Sequence, residues 1–196
     1  MDGFIGEPRF FEEIVEILKA NSKCKVLASG IFSTVLSYGE SRFVIKVGRS
    51  RCADTLDGWL DFALWARPMG SEHFPAKIKI LRRPEFHGDI FVACMERLHC
   101  TIAQAAHASG AQPITLSTEE VRIVLDACRT FRRDPIRWSD YIHQELAGRW
   151  PFLRSDLRAL AEHFSTSWQF DLHSKNVMFR RDGSLVIVDP ILKRWK

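Results

Sequence analysis

No apolar run in this 196-residue chain approaches the ~18 residues a membrane-spanning helix needs. Its N-terminus, MDGFIGEPRFFEEIVEI, is acidic where a secretory leader would be basic. Together these absences predict a soluble, cytoplasmic protein with no membrane partner. Cysteine is sparse and unpatterned. Cys24, Cys52, Cys94, Cys100 and Cys128 are odd in number and contain no C-x-x-C pair, which argues against a disulfide framework and a zinc site. An excess of one charge sign is also missing. The net charge of +4 is too small to suggest nucleic acid as the main partner, though it suits an anionic small ligand such as a nucleotide. There is no internal repeat and no low-complexity tract.

What is present is an ordinary globular composition, 46% hydrophobic and 27% charged, enough for a real core. Residues 9–20 read as an amphipathic helix, with Phe10, Ile14, Ile17 and Leu18 on one face and Pro8 in the first turn. Three strand-like runs follow at 25–29, 32–38 and 42–47, the last two joined by a hairpin turn at Gly39-Glu40-Ser41. Residues 54–66 read as a helix with a stripe of Leu56, Leu60, Ala63 and Leu64, ended by Pro68. Strands are expected at 76–81 and 89–95, then helices at 100–109, 118–133 and 151–165, with a loop and a short helical turn over 134–149. A short hairpin closes the pattern, 177–179 and 185–188 about the turn Arg181-Asp182-Gly183-Ser184. The basic run Lys193-Arg194-Trp195-Lys196 reads as a solvated end, and Trp59, Trp65, Trp138, Trp150 and Trp168 as core. The order predicts an α+β, two-lobe arrangement with a small antiparallel sheet carrying one helix and a helical second half. The divisions are 1–98 and 99–196, with a ligand cleft between them.

The chemistry concentrates in FDLHSKNVMFRRDGSLVIVDP, residues 170–190. Asp171 is followed five residues later by Asn176, and thirteen further on by Asp189 at the end of a strand-like run. Phosphoryl transfer needs positioning and charge neutralisation more than covalent help. One carboxylate orients or deprotonates the attacking hydroxyl, while a second carboxylate and a carboxamide offer the hard oxygens magnesium prefers. Singly, each residue reads as well as a cap or turn former; the spacing of the three is the specific signal.

In the first half, LASGIFSTV at 27–35 resembles the protein-kinase glycine-rich loop L-G-x-G-x-F-G-x-V. Gly30 takes the second glycine, Phe32 the aromatic tip and Val35 the place over the adenine, while Ala28 and Ser33 replace the other glycines and Ser29 lies between. FVIKV at 43–47 resembles the kinase strand whose lysine, here Lys46, grips the α- and β-phosphates. VACMERL at 92–98 resembles the last small-lobe strand and hinge, with Met95 beside the adenine and Glu96, Arg97 and Leu98 presenting backbone groups to its edge. The wording VIKVG at 44–48, FDLHSKNVMF at 170–179 and VDP at 188–190 is similar to the serine/threonine protein kinases of T-seven-type podophages. That resemblance implies a protein-kinase-like fold with a truncated helical second lobe and the cofactors ATP and Mg²⁺. It also implies a phage-encoded enzyme acting on proteins of a bacterial host, in the host cytoplasm. The implied roles are Asp171 as base, Asn176 and Asp189 as metal ligands, and Lys46 with Ala28, Ser29, Gly30, Phe32, Ser33, Val35, Met95, Glu96 and Leu98 around the nucleotide.

The departures carry expectations too. The usual H-R-D reads Gln169-Phe170-Asp171, so regulation through an activation-loop phosphate is not expected. Asp189-Pro190-Ile191 stands where Asp-Phe-Gly is usual, and neither an activation segment nor the group's C-terminal extension is expected. The acid that should face Lys46 from a helix is not glutamate; Asp57 and Asp61, four apart, are the candidates, with Asp61 preferred. His173 is expected to brace the catalytic loop. D-L-H-x-x-N at 171–176 also resembles aminoglycoside- and choline-type kinases, which leaves a small-molecule acceptor as an alternative. The degenerate glycine loop leaves a pseudokinase that binds a host partner as another. The oligomeric state is not set by the sequence.

Overall fold

A computed structural model describes residues 11–49, 51–52, 55–82, 90–99, 116–146, 148–166, 168–180 and 182–194. Phe10 and Pro8, the helix expected at 100–109, Cys100 and the last two residues of the tail lie outside them. The first helix, α1, runs Phe11–Ala20. Ile14 and Val15 are its buried residues, while Ile17, expected inward, is exposed. The helix is pinned to the sheet by Glu12, which accepts from Arg49 at 2.7 Å, and by Phe11, whose ring lies 4.3 Å from the same guanidinium.

Strands β1 (Cys24–Ser29), β2 (Ser33–Tyr38) and β3 (Phe43–Arg49) form antiparallel hairpins. Gly39 takes a φ of +54° in the turn between β2 and β3, a conformation glycine adopts without steric cost. With β6 (Lys79–Arg82) and β7 (Ile90–Glu96) they make a five-stranded sheet in the order β1-β2-β3-β7-β6.

The stretch expected to be one helix at 54–66 is divided. Short strands β4 (Arg51–Cys52) and β5 (Thr55–Asp57) pair with each other. After Gly58, helix α2 runs Trp59–Met69 with Pro68 in its last turn. Its buried face is Trp59, Phe62, Ala63 and Ala66, which shares only Ala63 with the expected stripe. Gly70, at φ +64°, closes it in the left-handed conformation.

The second half holds α3 (Thr118–Thr130), α4 (Pro135–Glu145) and α5 (Leu153–Phe164). Helix α3 begins at a capping box, Ser117 with Glu120. Helix α4 corrects the expected loop at 134–149. Asp134 accepts from the Arg137 amide, Pro135 sits at the first helical position, and Trp138 and Ile142, four apart, are fully buried. The closing hairpin is β9 (Val177–Phe179) with β10 (Leu185–Ile187). Lys193 and Arg194 do not form a loose end. They belong to β11 (Ile191–Arg194), which pairs with β5 on one side and with β8 (Gln169–Phe170) on the other.

Helix α2 ties the packing together. Phe62 and Ala66 join the large core made with α3, α4, α5, β9 and β10, while Trp59 and Ala63 pack under the sheet with Val44, Phe91 and Met95. A third cluster, Ile14, Val15, Leu36 and Val47, seats α1. The expected fold class is found: a small antiparallel sheet with an associated helix, followed by a helical half. Among the described residues no helix is long and apolar enough to cross a membrane.

Candidate active site

Strand β3 is buried over most of its length, and this places Lys46 inside the protein at 5% exposure. A buried ammonium needs compensation. Lys46 Nζ donates to Asp189 Oδ2 at 3.2 Å and lies 4.5 Å from the centroid of the Trp59 ring. Trp59 is stacked on Phe91, with centroids 4.9 Å apart. Phe91 in turn lies against Gly48, its cross-strand partner, where a Cβ would fall 2.1 Å from the ring. A glycine two residues beyond Lys46 therefore makes room for the aromatic pair beneath the ammonium. Trp59 is a core residue as expected, and it also touches Lys46, which the sequence reading missed.

Asp57, at the end of β5, is buried at 5% exposure. Its Oδ1 accepts from the Trp59 amide at 3.0 Å, while Oδ2 is buried with no hydrogen-bond partner among the described residues. Burial, then the charge of Asp189, push its carboxyl up to about 7, against the opposing pull of Lys46. Asp61 sits instead on the outer side of α2. It lines a hollow of about 480 Å³ with Leu64, Trp65, His163, Phe164 and Trp168, and desolvation raises its carboxyl. Of the two expected candidates, Asp57 is the one whose carboxyl feels Lys46; no ion pair joins Asp61 to Lys46 among the described residues. Its strand position explains the outcome, because the helix starts only after Gly58.

Asp171 follows β8 and is buried at 7% exposure. Its amide donates to Pro190 O at 2.7 Å, which joins it to the segment bearing Asp189. Asn176 then locks the two together. Its Nδ2 donates to Asp171 O at 2.9 Å and to Asp189 O at 2.5 Å, and its own carbonyl accepts from the Val188 amide. With Nδ2 committed to the backbone, Asn176 Oδ1 is the atom left over. Among the described residues neither Asn176 Oδ1 nor Asp189 Oδ1 accepts a hydrogen bond. Those two oxygens are of the kind magnesium takes. Among the described residues no group of three or more His, Cys, Asp and Glu is disposed to hold a metal. The pair therefore fits an ion that keeps waters and shares a phosphate, rather than a cage built by protein alone.

Arg132, in the turn between α3 and α4, was not expected here. Its Nε donates to Asp171 Oδ1, and its carbonyl accepts from the Leu172 amide at 2.9 Å. His173 Nε2 lies 3.6 Å from Asp171 Oδ2. Burial lowers the pKa of this imidazole, opposed by the charge of Asp171, while Arg132 and Lys175 lower it further. His173 also braces its loop, since Nδ1 accepts from the Lys175 amide at 3.1 Å.

The expected loop at 27–35 is the β1–β2 hairpin. Ala28 pairs with Val35, Ser29 with Thr34, and the Gly30 amide donates to Ser33 O at 2.8 Å. The hydroxyls of Ser29 and Thr34 share a hydrogen bond of 2.9 Å. Phe32 is half-buried, and its carbonyl accepts from the Arg49 amide. Gly30 has no positive φ, and a Cβ there would find nothing nearer than 3.9 Å. Among the described residues nothing requires glycine there, and none closes the space beside it. Val35 lies opposite Lys46 across the ladder. Met95 is buried in the cluster beneath the sheet, with Leu98 packed against it. The Glu96 side chain turns elsewhere, accepting from Arg180 at 2.7 Å and 3.0 Å and from the Ala76 amide at 2.6 Å. His99 and Phe179 exchange two backbone hydrogen bonds, which fasten the segment after β7 to β9.

No family model matches the chain, and no curated protein matches it by sequence. Among solved structures, the chain is similar to a thermostable mutant of aminoglycoside phosphotransferase APH(4)-Ia in ternary complex with ADP and hygromycin B. The identity is 16%, with 94% of this chain and 72% of that chain covered and a TM-score of 0.36. It is likewise similar to aminoglycoside phosphotransferase APH(4)-Ia itself, at 16% identity, 93% and 71% coverage and a TM-score of 0.35. Likeness at this level says nothing of substrate.

Proposed function

We propose that this protein is an ATP- and Mg²⁺-dependent phosphotransferase that passes the γ-phosphoryl group to a hydroxyl, with serine or threonine of a protein as the acceptor. The observation that carries the reading is that Lys46, Asp171, Asn176 and Asp189, drawn from the two halves of the chain, are joined in one hydrogen-bonded group. Asn176 Oδ1 and the free oxygen of Asp189 would hold magnesium, which when bound neutralises charge on the phosphates and orients them. Lys46, fixed by Asp189 and Trp59, supplies a cation to the α- and β-phosphates. The backbone of 28–35 covers them where the flank of Gly30 is open. Val35, Met95 and Leu98 form the apolar side of the nucleotide site. Asp171 accepts the proton of the acceptor hydroxyl as its oxygen bonds to the γ-phosphorus. The bond from that phosphorus to the bridging oxygen breaks, and its electron pair leaves with ADP.

A small-molecule acceptor is the second reading, favoured by Asp171-Leu172-His173 followed by Asn176 in the folded loop. Incubation with γ-labelled ATP and a bacterial lysate divides the two: labelled protein bands support the first, and label confined to small metabolites the second. A melting temperature that rises with Mg-ATP, by mass action, supports the nucleotide site common to both. No rise and no turnover would leave the protein a non-catalytic binding module.

A further inference from the structure

The surroundings of Asp171 say something about the acceptor. Two nitrogen-bearing side chains meet this carboxylate, and two more basic residues lie close by in the chain. Arg132 donates to its Oδ1 and His173 lies beside its Oδ2. Lys175 acts on the His173 imidazole together with Arg132, and Arg133 reaches the same strand, donating to Phe170 O at 3.3 Å and Gln169 Oε1 at 3.2 Å. Among the described residues, Asp171 and Asp189 are the acids whose charge reaches this imidazole. The Lys175 ammonium is exposed and forms no ion pair among the described residues. Arg132, though bonded to a buried acid, keeps 48% of its side chain exposed, so a solute arriving at Asp171 meets its guanidinium first.

From this arrangement we propose that the acceptor is an acidic peptide segment, whose carboxylates beside the target hydroxyl draw Arg132 away from Asp171. The inference rests on the phosphotransfer reading and deepens it. A guanidinium exchanges one carboxylate for another at little net cost, because the charge-assisted Nε–Oδ1 bond lost to Asp171 is remade to the incoming acid. The exchange frees the Oδ1 lone pair to accept the hydroxyl proton. A basic segment offers Arg132 no replacement partner and meets like charge from Arg133 and Lys175, which repels it. Arg132 is thus a positioning residue: it leaves the chemistry to Asp171 and selects who reaches it.

The test uses the whole chain, γ-labelled ATP and two degenerate peptide pools with a central serine, one flanked by Asp and Glu, the other by Lys and Arg. The wild type is expected to label the acidic pool with a kcat/KM about tenfold higher, the scale of one charge-assisted bond. Arg132→Gln is expected to bring the two pools to within about twofold of each other, with the Mg-ATP melting shift retained even where the melting temperature itself falls. Lys175→Gln, at an exposed site that cannot unfold the protein, should reduce the preference in the same direction. Equal labelling of the pools by the wild type, preference for the basic pool, labelling of neither while ATP is hydrolysed, or a preference that survives Arg132→Gln overturns the inference and leaves phosphotransfer standing. Absence of both ATP hydrolysis and an Mg-ATP melting shift removes the phosphotransfer reading, and the inference with it.

Discussion

Lys46 Nζ donates to Asp189 Oδ2 across 3.2 Å, joining residues 143 positions apart in the chain. The pair is unequal: the lysine side chain is 7% exposed and the aspartate 26%. The lysine rests against the Trp59 ring, and the other oxygen of the acid accepts no hydrogen bond among the described residues. Lys46→Met should therefore do two things. It removes the cation proposed to meet the phosphates, and it leaves Asp57 and Asp189 facing each other without compensation. Loss of labelled phosphate transfer is expected, together with destabilisation of about 3 kcal/mol in urea unfolding. A variant that transfers phosphate at the wild-type rate would remove Lys46 from the mechanism.

Asp171→Ala and Asp189→Ala should separate the two acidic roles. Removing a general base lowers rate by about 10²–10⁴-fold while nucleotide binding persists. Removing a metal ligand should weaken binding of Mg-ATP as well. The thermal shift with Mg-ATP should survive in Asp171→Ala and shrink in Asp189→Ala. Identical shifts in the two variants would contradict the division.

Asp57 gives a pH prediction with a definite sign. Its carboxyl is raised from 3.8 to about 7, chiefly by burial. Between those values the unfolded chain releases the proton that the fold retains, so this group makes stability fall as pH rises from about 4 to about 7. Above that range the cost of the buried charge is present in full. Asp57→Asn keeps an oxygen for the Trp59 amide and abolishes the titration. Relative to wild type, the variant should gain about 2–3 kcal/mol between pH 5 and pH 8 in urea melts. Parallel stabilities across that range would show that Asp57 is not buried as described.

Much of this was legible in the sequence, and the failures share a cause. Strands β1 to β3 and Lys46 were readable because alternation is a local signal, and Asp171, Asn176 and Asp189 because one short loop and hairpin carry all three. Strands β5 and β11 were not. Each is three or four residues long, and the pairing that joins them to each other links the two halves of the chain. Without that pairing, Asp57 read as a helical residue and Asp61 took precedence. Arg132 lies in no motif and reaches Asp171 only through the packing of α3 and α4. Helix α4 did carry signals, an Asp cap before Pro135 and the Trp138–Ile142 spacing, but its polar residues outweighed them.

Gly48 and Gly58 should tolerate alanine poorly, for different reasons. A Cβ at Gly48 would fall within the Phe91 ring, which is fully buried and stacked on Trp59, so the ring has nowhere to turn. At Gly58 the obstacle includes the Ile191 carbonyl at 2.7 Å, backbone held in β11. Gly58→Ala must push apart α2 and β11, and with them Asp57 and the segment that follows Asp189. Each substitution should cost about 1–3 kcal/mol. Gly48→Ala should in addition displace Trp59 from beneath Lys46, seen as a change in tryptophan fluorescence. Wild-type stability in both variants would contradict the packing on which the site rests.

Arg180 offers the last test, because its ties lie outside the cleft yet hold one wall of it. Its guanidinium donates to both oxygens of Glu96, to Phe74 O at 3.0 Å and to Glu72 O. Glu96 ends β7, where the segment proposed to face the nucleotide begins, and Arg180 directly follows β9. Arg180→Met keeps much of the side-chain volume but strands Glu96, whose side chain is only 16% exposed. The expected cost is about 2–4 kcal/mol. Because Asp171, Asn176 and Asp189 make no contact with Arg180, the rate with saturating ATP should change little while the KM for ATP rises. Adding Glu96→Gln to Arg180→Met removes the stranded charge and should restore part of the stability. A double variant no more stable than the single one would show that the charge of Glu96 is not what Arg180 compensates.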